Sequence, residues 1–77
     1  MTIIKTFKII EVFKTNIQNK TQSRNIIKLL TNDFVEAKIN FDLHDCDRIL
    51  RVDGIRKEHI QHVINNVQSG FKCEILN

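Results

Sequence analysis

Apolar residues along this chain recur at two spacings, every second position in four stretches and every third or fourth in two. The first stretch is 7–14, Phe7-Lys8-Ile9-Ile10-Glu11-Val12-Phe13-Lys14. It is rich in strand formers, with Ile10 and Val12 on one face and Phe7, Ile9, Glu11 and Phe13 on the other. Both faces are partly apolar, so the pattern predicts a central strand. Residues 36–43 alternate more cleanly, with Ile39, Phe41 and Leu43 opposed to Lys38, Asn40 and Asp42. That is a strand with one wet face. His44-Asp45-Cys46-Asp47 is a polar turn, and 48–53 alternates again through Leu50 and Val52, so the two runs predict a hairpin. Asp53-Gly54 is expected to end it. The last run, 71–76, sets Phe71, Cys73 and Ile75 on one face.

Between these runs the period changes. Asn19 is a good N-cap, Gln22 three positions on completes a capping box, and Thr21 is a second candidate. Ile26, Ile27, Leu30 and Phe34 then recur at helical spacing, and Asn32-Asp33 closes that helix. A second helix is predicted over about 56–68, with Ile60, Val63, Ile64 and Val67 on one stripe. Ser69-Gly70 is expected to stop it, with Gly70 as the left-handed residue.

The order β-α-β-β-α-β is the split-βαβ, ferredoxin-like pattern, an α+β sandwich. Right-handed crossovers then put both helices on one face of a four-stranded antiparallel sheet and leave the other face open. The expected sheet core is Ile10, Val12, Ile39, Phe41, Leu43, Leu50, Val52, Phe71, Cys73 and Ile75. The same topology brings residues 15–20, 44–47 and Ser69-Gly70 to one end of the sheet, where a binding loop is expected.

Composition narrows the class of protein. Seventy-seven residues make a single domain, 1–77, with its core over 7–76. With 42% hydrophobic and 27% charged residues, the chain is a globular domain rather than a disordered one. The net charge of +3 is scattered along the chain and forms no nucleic-acid stripe. Cys46 and Cys73 are too few for a disulfide framework, and the first residues carry no apolar run for export or membrane insertion. The expectation is a cytoplasmic protein with reduced thiols and no membrane association.

Lys8 to Leu76 resembles the heavy-metal-associated domain of copper chaperones and metal-transporting ATPases. The resemblance rests on the strand-to-helix junction Val12–Lys20, on Ile39-Asn40-Phe41-Asp42-Leu43, on Leu50-Arg51-Val52, and on Gly70-Phe71 opening the last strand. That family carries Gly-Met-x-Cys-x-x-Cys in its first loop. Here Lys14 and Thr15 stand for the Gly and Met, and Ile17 and Lys20 stand for the two cysteines. Neither is a soft ligand for copper(I) or zinc, so the metal role is carried over to no residue. The resemblance implies a relative lacking the metal motif, of a kind seen among small stand-alone bacterial proteins. Lys20 would sit in the first helical turn, opposing the helix dipole where the family holds a cation; the plainer alternative is a solvated lysine.

The remaining chemistry is sparse. Thr15, Asn16, Gln18, Lys20, His44 and Cys46 form the candidate binding set at the loop end. His44 with Cys46 is a legitimate zinc or copper pair, but a closed site needs about four ligands, and a polar turn explains the same residues. His59 and His62 on the second helix are expected at the surface, and Cys73 as a small buried apolar residue. No nucleophile–base pair and no phosphate loop is present, so an enzyme is not expected, and no cofactor is implied. RNA-recognition motifs share this element order and stack bases on sheet aromatics. Here the third strand offers Ile49, Arg51 and Asp53, which disfavours nucleic acid. Phe7, Ile9, Phe13 and Ile49 are instead expected as an apolar patch on the open face, a place for a protein partner or self-association. Residues 1–6 are an alternative cover for it.

Overall fold

The computed structural model describes residues 7–44 and 46–76. The elements are β1 (Ile9–Thr15), α1 (Lys20–Asp33), β2 (Lys38–Asp42), β3 (Ile49–Ile55), a 3-10 turn (Lys57–His59), α2 (Ile60–Gln68) and β4 (Cys73–Ile75). The four strands form one antiparallel sheet in the order β2-β3-β1-β4. The chain is thus a small α+β domain of one sheet and two helices. No helix among the described residues is long and apolar enough to cross a membrane.

Local chemistry accounts for the start of α1. Asn19 is extended at φ −145° and its Oδ1 accepts the Gln22 N–H at 2.9 Å. Gln22 Oε1 reaches back to accept the Gln18 N–H at 2.8 Å, so two otherwise orphaned donors are satisfied reciprocally. The helix ends at Asp33, as the Asn32-Asp33 stop predicts, and Phe34 is its C-cap, with its N–H donating to the Leu30 carbonyl at 2.8 Å.

Both helices pack on the sheet face that carries Phe13, Leu50 and Val52. The core is Phe13, Ile17, Ile26, Leu30, Leu50, Val52, Ile55, Val63, Val67 and Cys73. This corrects the face assigned to the first strand. Phe13 is fully buried, whereas Ile10 is 49% exposed. The reason lies in pairing, because directly opposed residues share a face. Phe13 pairs with Leu50 and Thr15 with Cys73, while Val12 pairs with Arg51 and Ile10 with Asp53. Ile9 also packs on the core. Glu11 shares the core-side parity but lies past the end of β4, which pairs only with Phe13 to Thr15. Ile75, expected inside, is 38% exposed at the short outer strand.

α2 ends at Gln68 with Ser69 as its C-cap, as expected, but the left-handed glycine is not the one expected. Gly70 donates its N–H to the Val67 carbonyl at 3.2 Å and is not left-handed. Gly54 is the left-handed one, at φ 99°. It does not end the hairpin. The β1–β3 register shifts there, Ile9 opposing Ile55 and Ile10 opposing Asp53, and the strand resumes so that Ile55 is buried. This is a bulge that re-aims Ile55 into the core. A Cβ at Gly54 would meet the Ala37 Cα at 3.6 Å, an ordinary contact, so the backbone alone sets the penalty. Gly54→Ala is expected to lower stability by about 1–3 kcal/mol, measured by urea denaturation. An unchanged midpoint would remove the bulge's requirement for glycine.

Candidate functional site

The three loops expected at one end of the sheet are held together there. Thr15 is buried and is their hub. Its N–H donates to the Asp47 carbonyl at 3.1 Å, and its hydroxyl donates to the Arg48 carbonyl at 2.6 Å. The same oxygen accepts the Ile17 N–H at 3.2 Å. Asn16 Oδ1 accepts the Lys72 N–H at 2.8 Å and so ties in the segment before β4. Arg48 holds the hairpin turn in a left-handed conformation at φ 48°, uncommon for a residue with a Cβ. Its guanidinium donates to the Leu43 carbonyl at 3.0 Å and, at 3.4 Å, to the Gln18 carbonyl. Arg48 and Lys72 were not singled out in the sequence. Only the placement of their loops connects them to the set, and the sequence carries no direct signal for it.

The candidate residues do not converge on one pocket. Thr15 and Asn16 border a groove of about 730 Å³ shared with Lys14, Gln68, Phe71 and Lys72. Lys20 and His44 line a different groove, about 360 Å³, between α1 and β2. Gln18 spends its backbone on Gln22 and Arg48. Ile17 is fully buried in the core, and Lys20 is exposed at the first position of α1. The position that the family resemblance gives to the first thiolate is therefore a packing position in this chain.

His44 and Cys46 are both exposed. The His44 N–H donates to Asp42 Oδ1 at 3.1 Å, the short-range turn geometry expected of aspartate. Asp45, named with this pair, lies outside the described residues, as do residues 1–6. Among the described residues no group of three or more His, Cys, Asp or Glu side chains is placed to hold a metal. Burial, with the Glu74 carboxylate adding to it, pushes the Cys73 thiol up to about 11. It is protonated at neutral pH and a poor nucleophile.

His59 and His62 lie beside the C-terminal end of α1. Their rings flank Phe34 with centroids at 5.5 and 5.4 Å, the second edge-on. His62 Nε2 lies 2.9 Å from Asp33 Oδ2, which also accepts from Asn66 Nδ2 at 2.9 Å. Those two hydrogen bonds, His62 first, hold the Asp33 carboxyl below its ordinary value. The cluster ties α2 to the end of α1.

The sheet face away from the helices, left uncovered by the described residues, is the other feature with room for a partner. Pairing places Lys38, Asn40 and Asp42 of β2, Ile49, Arg51 and Asp53 of β3, and Ile10, Val12 and Lys14 of β1 on it. Leu76, whose N–H donates to the Val12 carbonyl at 2.9 Å, adjoins them. The apolar patch predicted as Phe7, Ile9, Phe13 and Ile49 is thus corrected. Phe13 and Ile9 belong to the core side, and of the four only Ile49 lies among these face residues. Phe7 is 77% exposed before β1 begins. With Phe13 inside, none of the residues paired on this face is aromatic, so β1 and β3, the two central strands, offer no base-stacking platform there. No protein-family model, curated protein or solved structure matches the chain.

Proposed function

We propose that this chain is a small non-catalytic interaction module of the cytoplasm, built on a ferredoxin-like scaffold of the heavy-metal-associated kind without its metal loop. The strand order, with β1 and β3 central, and the element order support the scaffold. The burial of Ile17 supports the absence of a metal role. A protein partner docks on the uncovered sheet face. The observation that carries this reading is the apolar strip Ile10, Val12, Ile49 and Leu76. It lies in a field otherwise made of charged and amide side chains, and Ile10 is 49% exposed. An apolar strip with a charged rim is the usual composition of a docking surface.

The double variant Ile10→Lys, Ile49→Lys tests it. Both positions lie on the uncovered face, so the melting temperature is expected to stay within about 4 °C of the parent. The native chain is expected to bind an apolar dye, and the double variant is expected to lose that binding. Persistent dye binding, or a large drop in melting temperature, would count against a docking role. Copper(I) or zinc titrated into the native chain is expected to leave the amide signals of residues 15–20 in place. Stoichiometric binding with shifts at those residues would overturn the metal-free part of the reading.

A further inference from the structure

The outer edge of β2 carries a self-complementary pattern. β2 ends the strand order, so one of its sides has no strand beside it among the described residues. Its five residues are Lys38-Ile39-Asn40-Phe41-Asp42. Lys38, Asn40 and Asp42 are exposed on the uncovered face, while Ile39 and Phe41 are half-buried on the helix side. Natural edge strands are blunted by short length, proline, a bulge or charged side chains, lysine above all, which repel a second strand unless it supplies the opposite charge. Residues 38–42 contain neither proline nor bulge, and their two charges are opposite in sign and equidistant from Asn40.

We propose that two copies of this chain pair through β2, antiparallel and centred on Asn40, joining two four-stranded sheets into one of eight strands. In that register Lys38 of each copy faces Asp42 of the other, Ile39 faces Phe41, and Asn40 faces Asn40. Two-fold symmetry makes the charge pair and the apolar pair twice each. Cross-strand pairs of these kinds are the stabilising unit of a sheet. The competing registers lose the match. Sliding the strands by two residues sets Asp42 against Glu36, or Lys38 against His44, and a parallel pairing sets Lys38 against Lys38.

The surroundings fit the same occupant. In its own sheet Lys38 is opposite Asp53, so in the pair it stands between two carboxylates. Asp42 spends Oδ1 on the His44 N–H at 3.1 Å. On the helix side, Ile27, Phe41 and Leu43 line the groove between α1 and β2. They are half-buried in one copy and are covered by the second. The two-fold runs perpendicular to the sheet, so all helices stay on one side and the two uncovered faces become continuous. The inference uses the edge of the sheet and stands independently of the docking role assigned to its face.

Light scattering coupled to gel filtration tests it on the full chain. The native chain is expected at twice the mass of one chain at high concentration, falling to the single mass on dilution. Lys38→Asp sets aspartate against Asp42 and is expected to give the single mass throughout. Adding Asp42→Lys to it restores opposite charges and is expected to restore the doubled mass. Circular dichroism checks that each variant is folded. If Lys38→Asp fails to fold, contacts between the Ile39 methyls and the Phe41 ring in a mixed isotope-labelled sample decide instead. A native chain of single mass at millimolar concentration overturns the proposal. So does a doubled mass that survives Lys38→Asp but is lost in Ile10→Lys, Ile49→Lys, because that result moves the contact to the sheet face.

Discussion

Phe13→Ala is expected to lower stability by about 3–5 kcal/mol, the usual range for deleting a buried phenylalanine ring. A domain of this length has about 4–12 kcal/mol in total. The variant is therefore expected to lose a large share of its stability and to have a urea midpoint far below the parent's, and at the low end of that range to be partly unfolded in buffer. Phe13 is fully buried and pairs with Leu50 on the helix side of the two central strands. Removing its ring leaves a cavity bounded by sheet and helices, and a well-connected core collapses into such a void only in part. Ile10 is the control, three residues earlier on the opposite face. Being 49% exposed, it is expected to lose less than about 1 kcal/mol on truncation to alanine. Urea denaturation followed by circular dichroism ranks the two. Equal losses would mean that the first strand buries its other face.

That contrast marks what the sequence could and could not convey. Short-range features were legible. Asn19 and Gln22 satisfy each other's neighbourhood within a few residues, so the start of α1 needs no tertiary information. The alternation of residues 38–42 allowed one orientation, because only Ile39 and Phe41 were apolar. The first strand was different. Phe7, Ile9 and Phe13 compete there with Ile10 and Val12, and Glu11 weakens the parity that is in fact buried. The deciding partners, Leu50 and Cys73, are far away in sequence. A one-residue error in parity exchanges every side chain of that strand between core and solvent. Ile10 and Val12 therefore fell out of the expected core together with the predicted interface patch, while Leu50, Val52 and Cys73 are buried as expected.

Gly54 shows a second limit. Asp-Gly at the end of an alternating run has the look of a terminator. A left-handed glycine also makes a bulge, and only the burial of the next residue distinguishes the two uses. Here that residue is Ile55, and it is buried. The loop cluster was legible as a place, because topology alone brings its segments together. Its internal wiring was not. The left-handed Arg48 and the Thr15 hydroxyl acting as donor and acceptor are local geometries without a motif.

Ile17→Ala is expected to cost about 2–4 kcal/mol, while Lys20→Ala, at the other position that the resemblance matches to a metal-ligating cysteine, is expected to cost almost nothing. The two residues stand three apart at the entrance to α1, and a binding loop would expose both. In this chain Ile17 is fully buried and its N–H is held by the Thr15 hydroxyl at 3.2 Å. Its side chain joins the cluster of Phe13, Val67 and Cys73. Lys20 is exposed, so its truncation removes little packing. Its positive charge at a helix N-terminus is mildly unfavourable, which makes even a small gain from Lys20→Ala consistent with its position. A loop that anchors the core through Ile17 is a structural joint. Chemical denaturation of the two single variants separates this from a loop kept free for a ligand. In the free-loop case Ile17→Ala is as mild as Lys20→Ala, and the buried joint is then the wrong description of residues 15–20.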